Sequence, residues 1–394
     1  MHSTLAEAER AYLVGVDHER NPVMPARESL RELARLARTA GATVVGEALQ
    51  RRDHPDPATY VGAGKLEEIC AARESTGYTM VVFDEQLSPA QQLRLESALA
   101  VKVLDRSALI LDIFASRART REAALQVELA QHEYLLPRLR GQWRHLERME
   151  GAIGARGPGE TQLETDRRMI GGRIARLKQQ IEAVRRQRAL HRRRRSRVGI
   201  PVAALVGYTN AGKSSLLRAL SGAEAFTADA PFATLDPLTR RVGLTSGDAF
   251  LLTDTVGFIQ KLPSQLISAF RATLEELESA DLLLHVVDTT SPAARAQCET
   301  VLATLDELGL GSKPVLTVLN KADGLRKPDG SPVEEEADLD LVDIENPAAI
   351  AGRAGSGAVM VSALRGWGIE HLRRRLEFEL FARRREPAAA APTR

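Results

Sequence analysis

The sequence predicts an α/β protein in three parts: a small parallel α/β domain, an antiparallel helical hairpin, and a larger α/β domain built around a phosphate-binding loop. Three observations predict it. Strand-like and helix-like stretches alternate through roughly the first hundred residues. From about Thr120 the apolar spacing changes to a 4-3 heptad pattern. From Pro201, apolar strands end in polar loops at Gly207–Ser214, Asp254–Gly257 and Asn320–Asp323. The expected boundaries are 1–118, 119–197 and 198–385, followed by a disordered tail over 386–394.

Composition narrows the class. With 394 residues, 44% hydrophobic and 27% charged, the chain can bury more than one core and is not a disordered one. Its two thiols, Cys70 and Cys298, make no disulfide framework and have no zinc-ligand spacing. No apolar run reaches the ~18 residues of a membrane span. The start, MHSTLAEAER, lacks the basic-then-apolar order of an export signal. A cytoplasmic protein with no stable membrane association is expected. The net charge of +2 is unevenly placed: Arg117–Arg197 holds 21 Lys and Arg against 9 Asp and Glu, a local excess of +12. Such a segment suits a polyanionic partner, although a merely solvated basic surface is the plainer alternative.

In the first part, Ala11–Asp17 and Ala42–Leu49 read as strands and Ala26–Ala40 as a helix with Leu30, Leu33, Ala34 and Ala37 on one face. Gly64–Thr76 reads as a helix, Tyr78–Asp84 as a buried strand and Val101–Leu104 as a short one. Ser88 can cap a helix over Pro89–Leu99, with Pro89 at its first position. Gly62-Ala-Gly64-Lys65 lacks full phosphate-loop spacing and reads as a glycine turn opening a helix.

In the second part, Leu125, Leu129, His132, Leu136, Leu139, Trp143 and Leu146 form a seam with a kink at Pro137. His132 and Trp143 are expected as packed core residues. The stretch Gly151–Glu160 is a glycine-rich tip containing Arg156, and Thr161 with Glu164 has the form of a capping box. Leu163, Ile170, Ile174, Leu177, Ile181 and Val184 continue as a second seam, ending in the basic linker His191–Arg197. Two long helices joined by a short loop fold back on each other.

In the third part, strands are expected at Val202–Val206, Arg241–Thr245, Ala249–Thr253, Leu282–Val287, Val315–Leu319 and Ala358–Val361. Helices are expected at Ser214–Leu220, Gln265–Ser279, Ala293–Leu308 and Ile369–Arg383. The acid-rich Leu325–Gly357 is expected to be a mobile insertion.

The chemistry lies in this third part. Gly207-Tyr208-Thr209-Asn210-Ala211-Gly212-Lys213-Ser214 matches G-x-x-x-x-G-K-[ST], with a strand before it and a helix after it. Its amides can wrap phosphates, Lys213 adds a positive charge at the β- and γ-phosphates, and the Ser214 hydroxyl can ligate Mg2+. Asp254-Thr255-Val256-Gly257 ends a buried strand: the carboxylate can hold Mg2+ and the glycine lets an amide approach the γ-phosphate. Within Phe232-Ala233-Thr234-Leu235-Asp236, Thr234 is the natural second Mg2+ hydroxyl. Lys213, Thr234 and Gly257 are therefore the expected contributors to hydrolysis. Asn320-Lys321-Ala322-Asp323 ends another strand, and its terminal carboxylate can accept both the N1–H and the exocyclic amine of guanine, a pair that adenine lacks. Ser362-Ala363-Leu364 follows the last strand and can support the base from its backbone. Together these motifs predict a P-loop GTPase domain binding GTP or GDP with Mg2+. After the Asp254–Gly257 motif, small GTPases place a water-orienting glutamine; here it is Phe258.

The chain resembles the HflX family of translation-associated GTPases. The resemblance is carried by Tyr60–Ile69 (YVGAGKLEEI), Phe83–Gln92 (FDEQLSPAQQ), Val103–Ala118 (VLDRSALILDIFASRA), Gln126–Leu139 (QVELAQHEYLLPRL), Gly157–Arg168 (GPGETQLETDRR), FATLDP and DTVGFI. It implies a protein that binds the large ribosomal subunit and its rRNA, separates stalled or idle ribosomes, is monomeric when free, and is released by GTP hydrolysis. Two other functions stay open at this stage: a GTP-switched RNA-binding assembly factor with little hydrolysis, and an RNA-remodelling ATPase acting through the first domain. Some members carry a further C-terminal domain. Only 30 residues follow Leu364, so that domain is expected to be absent.

Overall fold

The computed structural model describes residues 9–18, 24–139, 158–196, 199–222, 231–232, 234–261, 276–342 and 357–382; side chains are described for 164–188 only within 158–196. The chain forms two compact units. The first comprises Met1–Arg186 with Lys261–Phe270, and the second Gln187–Gln260 with Arg271–Arg394.

In the first unit, strands β1 (Arg10–Asp17), β2 (Thr43–Arg51), β3 (Met80–Phe83) and β4 (Lys102–Asp105) form a parallel sheet in the order β2-β1-β3-β4. The buried runs of β1 and β3 reflect cover on both faces, as parallel sheets require. Helix α1 (Ala26–Thr39) buries Leu30, Leu33, Leu36 and Ala37. Helix α2 (Ala63–Thr76) opens at Gly62, whose amide donates to Gln50 Oε1 at 2.9 Å, so the glycine pair acts as a helix-opening turn. Helix α3 (Pro89–Leu99) begins with a reciprocal Ser88–Gln91 capping box.

Helix α4 (Arg106–Arg117) was not expected from the periodicity. No turn residue separates it from β4: Asp105 ends the strand and caps the helix at once, its Oδ1 accepting from the Ala108 amide at 2.8 Å. This helix redirects the next one. Helix α5 (Arg121–Leu135), capped by Thr120, buries Ala123, Gln126, Val127, Leu129, Ala130 and Tyr134, and α5 packs on α4. The expected seam is therefore displaced: Leu125 and His132 are only half-buried, while Leu129 is shared. The helix stops two residues before Pro137. Arg138 then turns back, donating to Asp105 Oδ2 at 3.0 Å and to the Leu87 carbonyl at 2.8 Å, with its guanidinium 3.5 Å from the Tyr134 ring centre. Trp143, Leu146 and Arg156 lie outside the described residues.

Helix α6 (Pro158–Ser196) starts earlier than expected. Proline suits a first helical position because no amide is needed there. Thr161 consequently lies inside the helix, and the Thr161–Glu164 pair is not its cap. Along α6, Leu177 is buried and Ile170, Ile174, Ile181 and Val184 are half-buried. Ion pairs Arg173–Glu128 at 2.6 Å and Lys178–Glu133 at 2.9 Å join α6 to α5.

Arg106, fully buried, organises the first unit. It donates to Glu32 Oε2 at 2.7 Å, Asp84 Oδ1 at 2.7 Å and the Ser29 carbonyl at 3.1 Å. Burial opposes its charge, but Asp84 and Glu32 outweigh that and keep it protonated. Burial likewise pushes the Asp84 carboxyl up, yet Arg106 and Lys261 together hold it down at about 2.

The second unit holds a six-stranded sheet of β5 (Val202–Gly207), β6 (Leu238–Gly243), β7 (Ala249–Asp254), β8 (Leu282–Asp288), β9 (Val315–Asn320) and β10 (Val359–Met360). The order is β10-β9-β8-β5-β7-β6, and only β6 runs antiparallel. Strand β6 lies three residues before the expected Arg241–Thr245 start. On this edge strand only Val242 is buried, so pairing with β7, and not apolar pattern, sets its limits. Part of the expected mobile insertion is ordered. Asp338 accepts from the Glu334 amide at 2.9 Å and pairs with Lys327 at 3.0 Å, over a buried Val333. Residues 343–356, most of the expected helix Gln265–Ser279, and the tail 386–394 lie outside the described residues. The last helix spans Ile369–Glu377 and runs into a π-helical turn at Phe378–Ala382. Cys70 is exposed and Cys298 buried; both are free.

Arg106→Met leaves buried Glu32 without its cation and Asp84 with Lys261 alone. Local stability of the first unit should fall by about 3–5 kcal/mol, read as faster amide hydrogen exchange in β3 and α4. Because the Asp84 carboxyl lies below its ordinary value of 3.8 when folded, its contribution is complete above about pH 4 and is lost as the pH falls through about 2. Asp84→Asn should flatten that acid dependence of exchange.

Candidate functional site: a nucleotide site at the carboxyl ends of the second sheet

The loop between β5 and the helix Lys213–Ser221 carries the phosphate-loop motif. Gly212 adopts φ +90°, and a Cβ there would lie 2.2 Å from Asn320 Nδ2. That closeness has a purpose. Asn320 Nδ2 donates to the Ala211 carbonyl at 2.9 Å, while its Oδ1 accepts from the Ala363 amide at 3.0 Å. One side chain thus ties the phosphate loop, the Asn320–Asp323 loop and the Ser362–Leu364 loop together. Asn210 sits at φ +61°, a conformation asparagine tolerates. Lys213 is buried and donates to the carbonyls of Gly207 at 3.1 Å and Tyr208 at 2.7 Å. Burial pushes its ammonium down to about 8, and Asp254 partly offsets this.

Ser214 Oγ, Thr234 Oγ1 and Asp254 Oδ2 converge. The hydroxyls are 2.8 Å apart, and the carboxylate oxygen lies 2.7 Å from Ser214 and 2.9 Å from Thr234. Burial raises the Asp254 carboxyl, against Lys213 and the two hydroxyls. Its Oδ1 has no hydrogen-bond partner among the described residues. Two hydroxyls and a buried, under-satisfied carboxylate form a hard oxygen set of the kind that would hold Mg2+. Thr255 turns away, its hydroxyl donating to the Leu205 carbonyl at 2.6 Å, and Val256 is buried. Of the remaining loop, Phe232 and Leu235 are buried and Asp236 half-buried; Ala233 lies outside the described residues.

Gly257 presses on the phosphate loop. A Cβ there would stand 2.8 Å from both Lys213 Nζ and Thr209 Cα. The next residue, Phe258, is buried, and its backbone does the bonding: its amide donates to the Gly207 carbonyl at 3.0 Å and its carbonyl accepts from the Thr209 amide at 2.7 Å. The Gln260 amide donates to Tyr208 Oη at 2.9 Å. Sequence reasoning did not anticipate this role for Tyr208, because no motif records where a tyrosyl hydroxyl meets a distant amide.

At the base end, Asp323 Oδ1 accepts from Ser362 Oγ at 2.5 Å, and Ser362 Oγ accepts from the Arg365 amide at 3.1 Å. Ala322 is buried and Leu364 exposed. Lys321, at φ +65°, pairs with Asp288 at 2.7 Å. Asp288 was missed, although its place at the end of a buried strand was a usable signal. His285, buried in β8, was also missed; burial and the nearby Lys213 push it down to about 4, so it is neutral at pH 7.

A mostly parallel sheet that carries this phosphate loop, hydroxyl–carboxylate cluster and Asn-Lys-x-Asp loop at its strand ends is a P-loop GTPase, an enzyme working on GTP with Mg2+. Family models agree along the chain: "GTP-binding GTPase N-terminal" matches residues 27–115, "GTP-binding GTPase Middle Region" 117–195 and "50S ribosome-binding GTPase" 202–321. GTPase HflX of Caldanaerobacter subterraneus subsp. tengcongensis is 49% identical over 82% of this chain and 74% of its own length. GTPase HflX of Escherichia coli K12 is 43% identical over 89% of this chain and 80% of its own length. The chain belongs to the HflX family of GTPases. Among solved structures, a complex of SsGBP with GDP is 26% identical, covers 95% of this chain and 99% of its own, and superposes with a TM-score of 0.50. No described helix is long and apolar enough to cross a membrane.

Gly257→Ala should weaken GTP binding at least about tenfold, because the methyl must displace Lys213 or the Thr209 backbone. Gly243→Ala, whose Cβ meets nothing within 4 Å, should bind like the parent in the same nucleotide titration.

Proposed function

We propose that this chain is a cytoplasmic GTPase, monomeric when free, that binds the large ribosomal subunit through its rRNA and in its GTP form promotes ribosome dissociation. The match of residues 202–321 to the 50S ribosome-binding GTPase model is the observation that carries the reading. Helix α6 adds support. Its 39 residues extend about 58 Å, with Arg167, Arg168, Arg173, Arg176, Arg185 and Arg186 exposed along it. A stiff basic rod of this length suits phosphate contacts in packed RNA. On this reading 1–118, 119–197 and 198–385 act as a scaffold, a basic probe and a switch.

The phosphate-loop amides of Asn210–Ser214 bind the phosphates, and the Lys213 ammonium faces the β- and γ-oxygens. Ser214, Thr234 and Asp254 would hold Mg2+, which when bound neutralises charge developing between the β- and γ-phosphates. Asp323 reads guanine, held in place by Ser362, while Asn320 keeps the base and phosphate loops in register. The Gly257 amide senses the γ-phosphate. The side chain directly after Gly257, Phe258, is buried and apolar and cannot orient the attacking water. Hydrolysis by the free protein is therefore slow, and ribosome binding completes the site.

Three outcomes are expected. Asp323→Asn turns an amide donor toward guanine's donors, so GTP binding should weaken and xanthosine triphosphate should be preferred in a competition titration. Phosphate release should rise severalfold when large subunits are added; equal rates would favour a GTP-switched RNA-binding assembly factor instead. Replacing Arg192–Arg195 with glutamine should reduce pelleting with large subunits and lower the log–log salt slope by up to about 3.

A further inference from the structure

Strand β8 ends at Asp288, opposite Asn320 of β9 in the register of the second sheet. From there the chain grips the Asn320–Asp323 loop and the glycine after it at three points. The Thr289 amide and hydroxyl both donate to the Asn320 carbonyl, at 3.1 and 2.8 Å. The Thr290 methyl lies so close to Gly324 that a Cβ there would stand 2.6 Å from it. Lys321 Nζ reaches Asp288 Oδ2 at 2.7 Å, with both side chains half-buried or better. The other carboxylate oxygen, Oδ1, accepts from the Thr290 amide at 3.0 Å and from the Thr290 hydroxyl at 2.6 Å, which fixes the carboxylate.

Lys321 needs such a hold. Its φ of +65° is unfavourable for a residue with a β-carbon, and neither glycine nor asparagine stands there. Backbone of this kind persists where the surrounding contacts over-determine it. The turn that follows, Ala322–Gly324, starts from this residue and carries Asp323. The Ala322 amide donates to the Val361 carbonyl at 3.2 Å, and the Ser362 hydroxyl donates to Asp323. Residues 361 and 362 thus hold the turn itself, while the Asp288 pair holds the residue from which it starts.

Guanine asks more of Asp323 than a single hydrogen bond. Its N1–H and exocyclic amine must meet both carboxylate oxygens in one plane, whereas hypoxanthine lacks the amine and offers only N1–H. A carboxylate that swings keeps one hydrogen bond more readily than a parallel pair. We propose that Asp288, acting through Lys321, is a positioning residue that sets how sharply the site prefers guanine over hypoxanthine. The proposal rests on the guanine reading of Asp323.

The test is titration of the full chain with GDP and with inosine diphosphate in Mg2+, with a thermal melt of each variant. Asp288→Asn keeps an acceptor for Thr290 but turns an amide donor toward the Lys321 ammonium. It should lower the affinity for GDP about fivefold and narrow the ratio of GDP to inosine diphosphate affinity about threefold. Lys321→Met keeps most of the stem, removes the charge and should do the same. The double variant should lose no more than either single one, since Asp288 acts through Lys321. A folded Asp288→Asn protein that loses both nucleotides equally, or neither, has an unchanged ratio and overturns the proposal. Additive losses in the double variant overturn it as well. Should Asp288→Asn fail to melt cooperatively, Lys321→Met decides, and an unchanged ratio there overturns the proposal. A parent that binds the two diphosphates alike overturns the guanine reading itself, and this proposal with it.

Discussion

A buried carboxylate at the carboxyl end of a parallel strand has to be given a cation, and both units of this protein are arranged around that demand. Taking a carboxylate out of water costs several kcal/mol even after relaxation. In the first sheet the debt is met internally. Asp84, just after β3, has Arg106 and Lys261, and Asp105, ending β4, has Arg138. In the second sheet Asp254, ending β7, has the hydroxyls of Ser214 and Thr234 close by and one carboxylate oxygen without a partner. Similar topology gives a locked scaffold in one unit and, in the other, a centre that fits a metal ion. The difference lies in which residues the following helices bring back.

That contrast explains why the two units differ in legibility. The nucleotide loops could be read from the sequence because their chemistry requires contiguous residues: amides in succession at Gly207–Ser214, and a carboxylate set three residues beyond an asparagine at Asn320–Asp323. The Arg106 network joins residues 29, 32, 84, 106 and 261, a spacing no local pattern records. Helix α4 escaped notice for a related reason. Asp105 serves strand and helix together, so the usual turn signal between elements is missing. Once α4 is in place, α5 buries the face that meets it, and the heptad seam through Leu125 and His132 loses its expected partner. In the second unit, β6 could not be placed from apolar residues because an exposed edge strand carrying Arg240 and Arg241 has almost none to show.

Phe258 illustrates a different limit. Its side chain advertises what is absent, a water-orienting amide, and says nothing of what its backbone does. The structure uses this position as a main-chain bridge between Gly207 and Thr209. A bridge of this kind is indifferent to side-chain polarity but gains from burial, since the two hydrogen bonds are sheltered from water. Phe258 itself is buried. The residue that lacks a water-orienting group is therefore the one whose main chain ties this segment to the phosphate loop.

The path of the chain makes this segment consequential. A single linker at Arg186–Gln187 would leave two units joined at one point, each free to respond alone. Instead the chain leaves the second unit again after Gln260, contributes Lys261–Phe270 to the first, and returns at Arg271. The excursion begins only four residues beyond Gly257, where a γ-phosphate must be sensed. Gln260 is hydrogen-bonded to Tyr208 within the second unit, and Lys261 is ion-paired to Asp84 and Glu85 within the first. The basic helix α6 belongs mostly to the first unit.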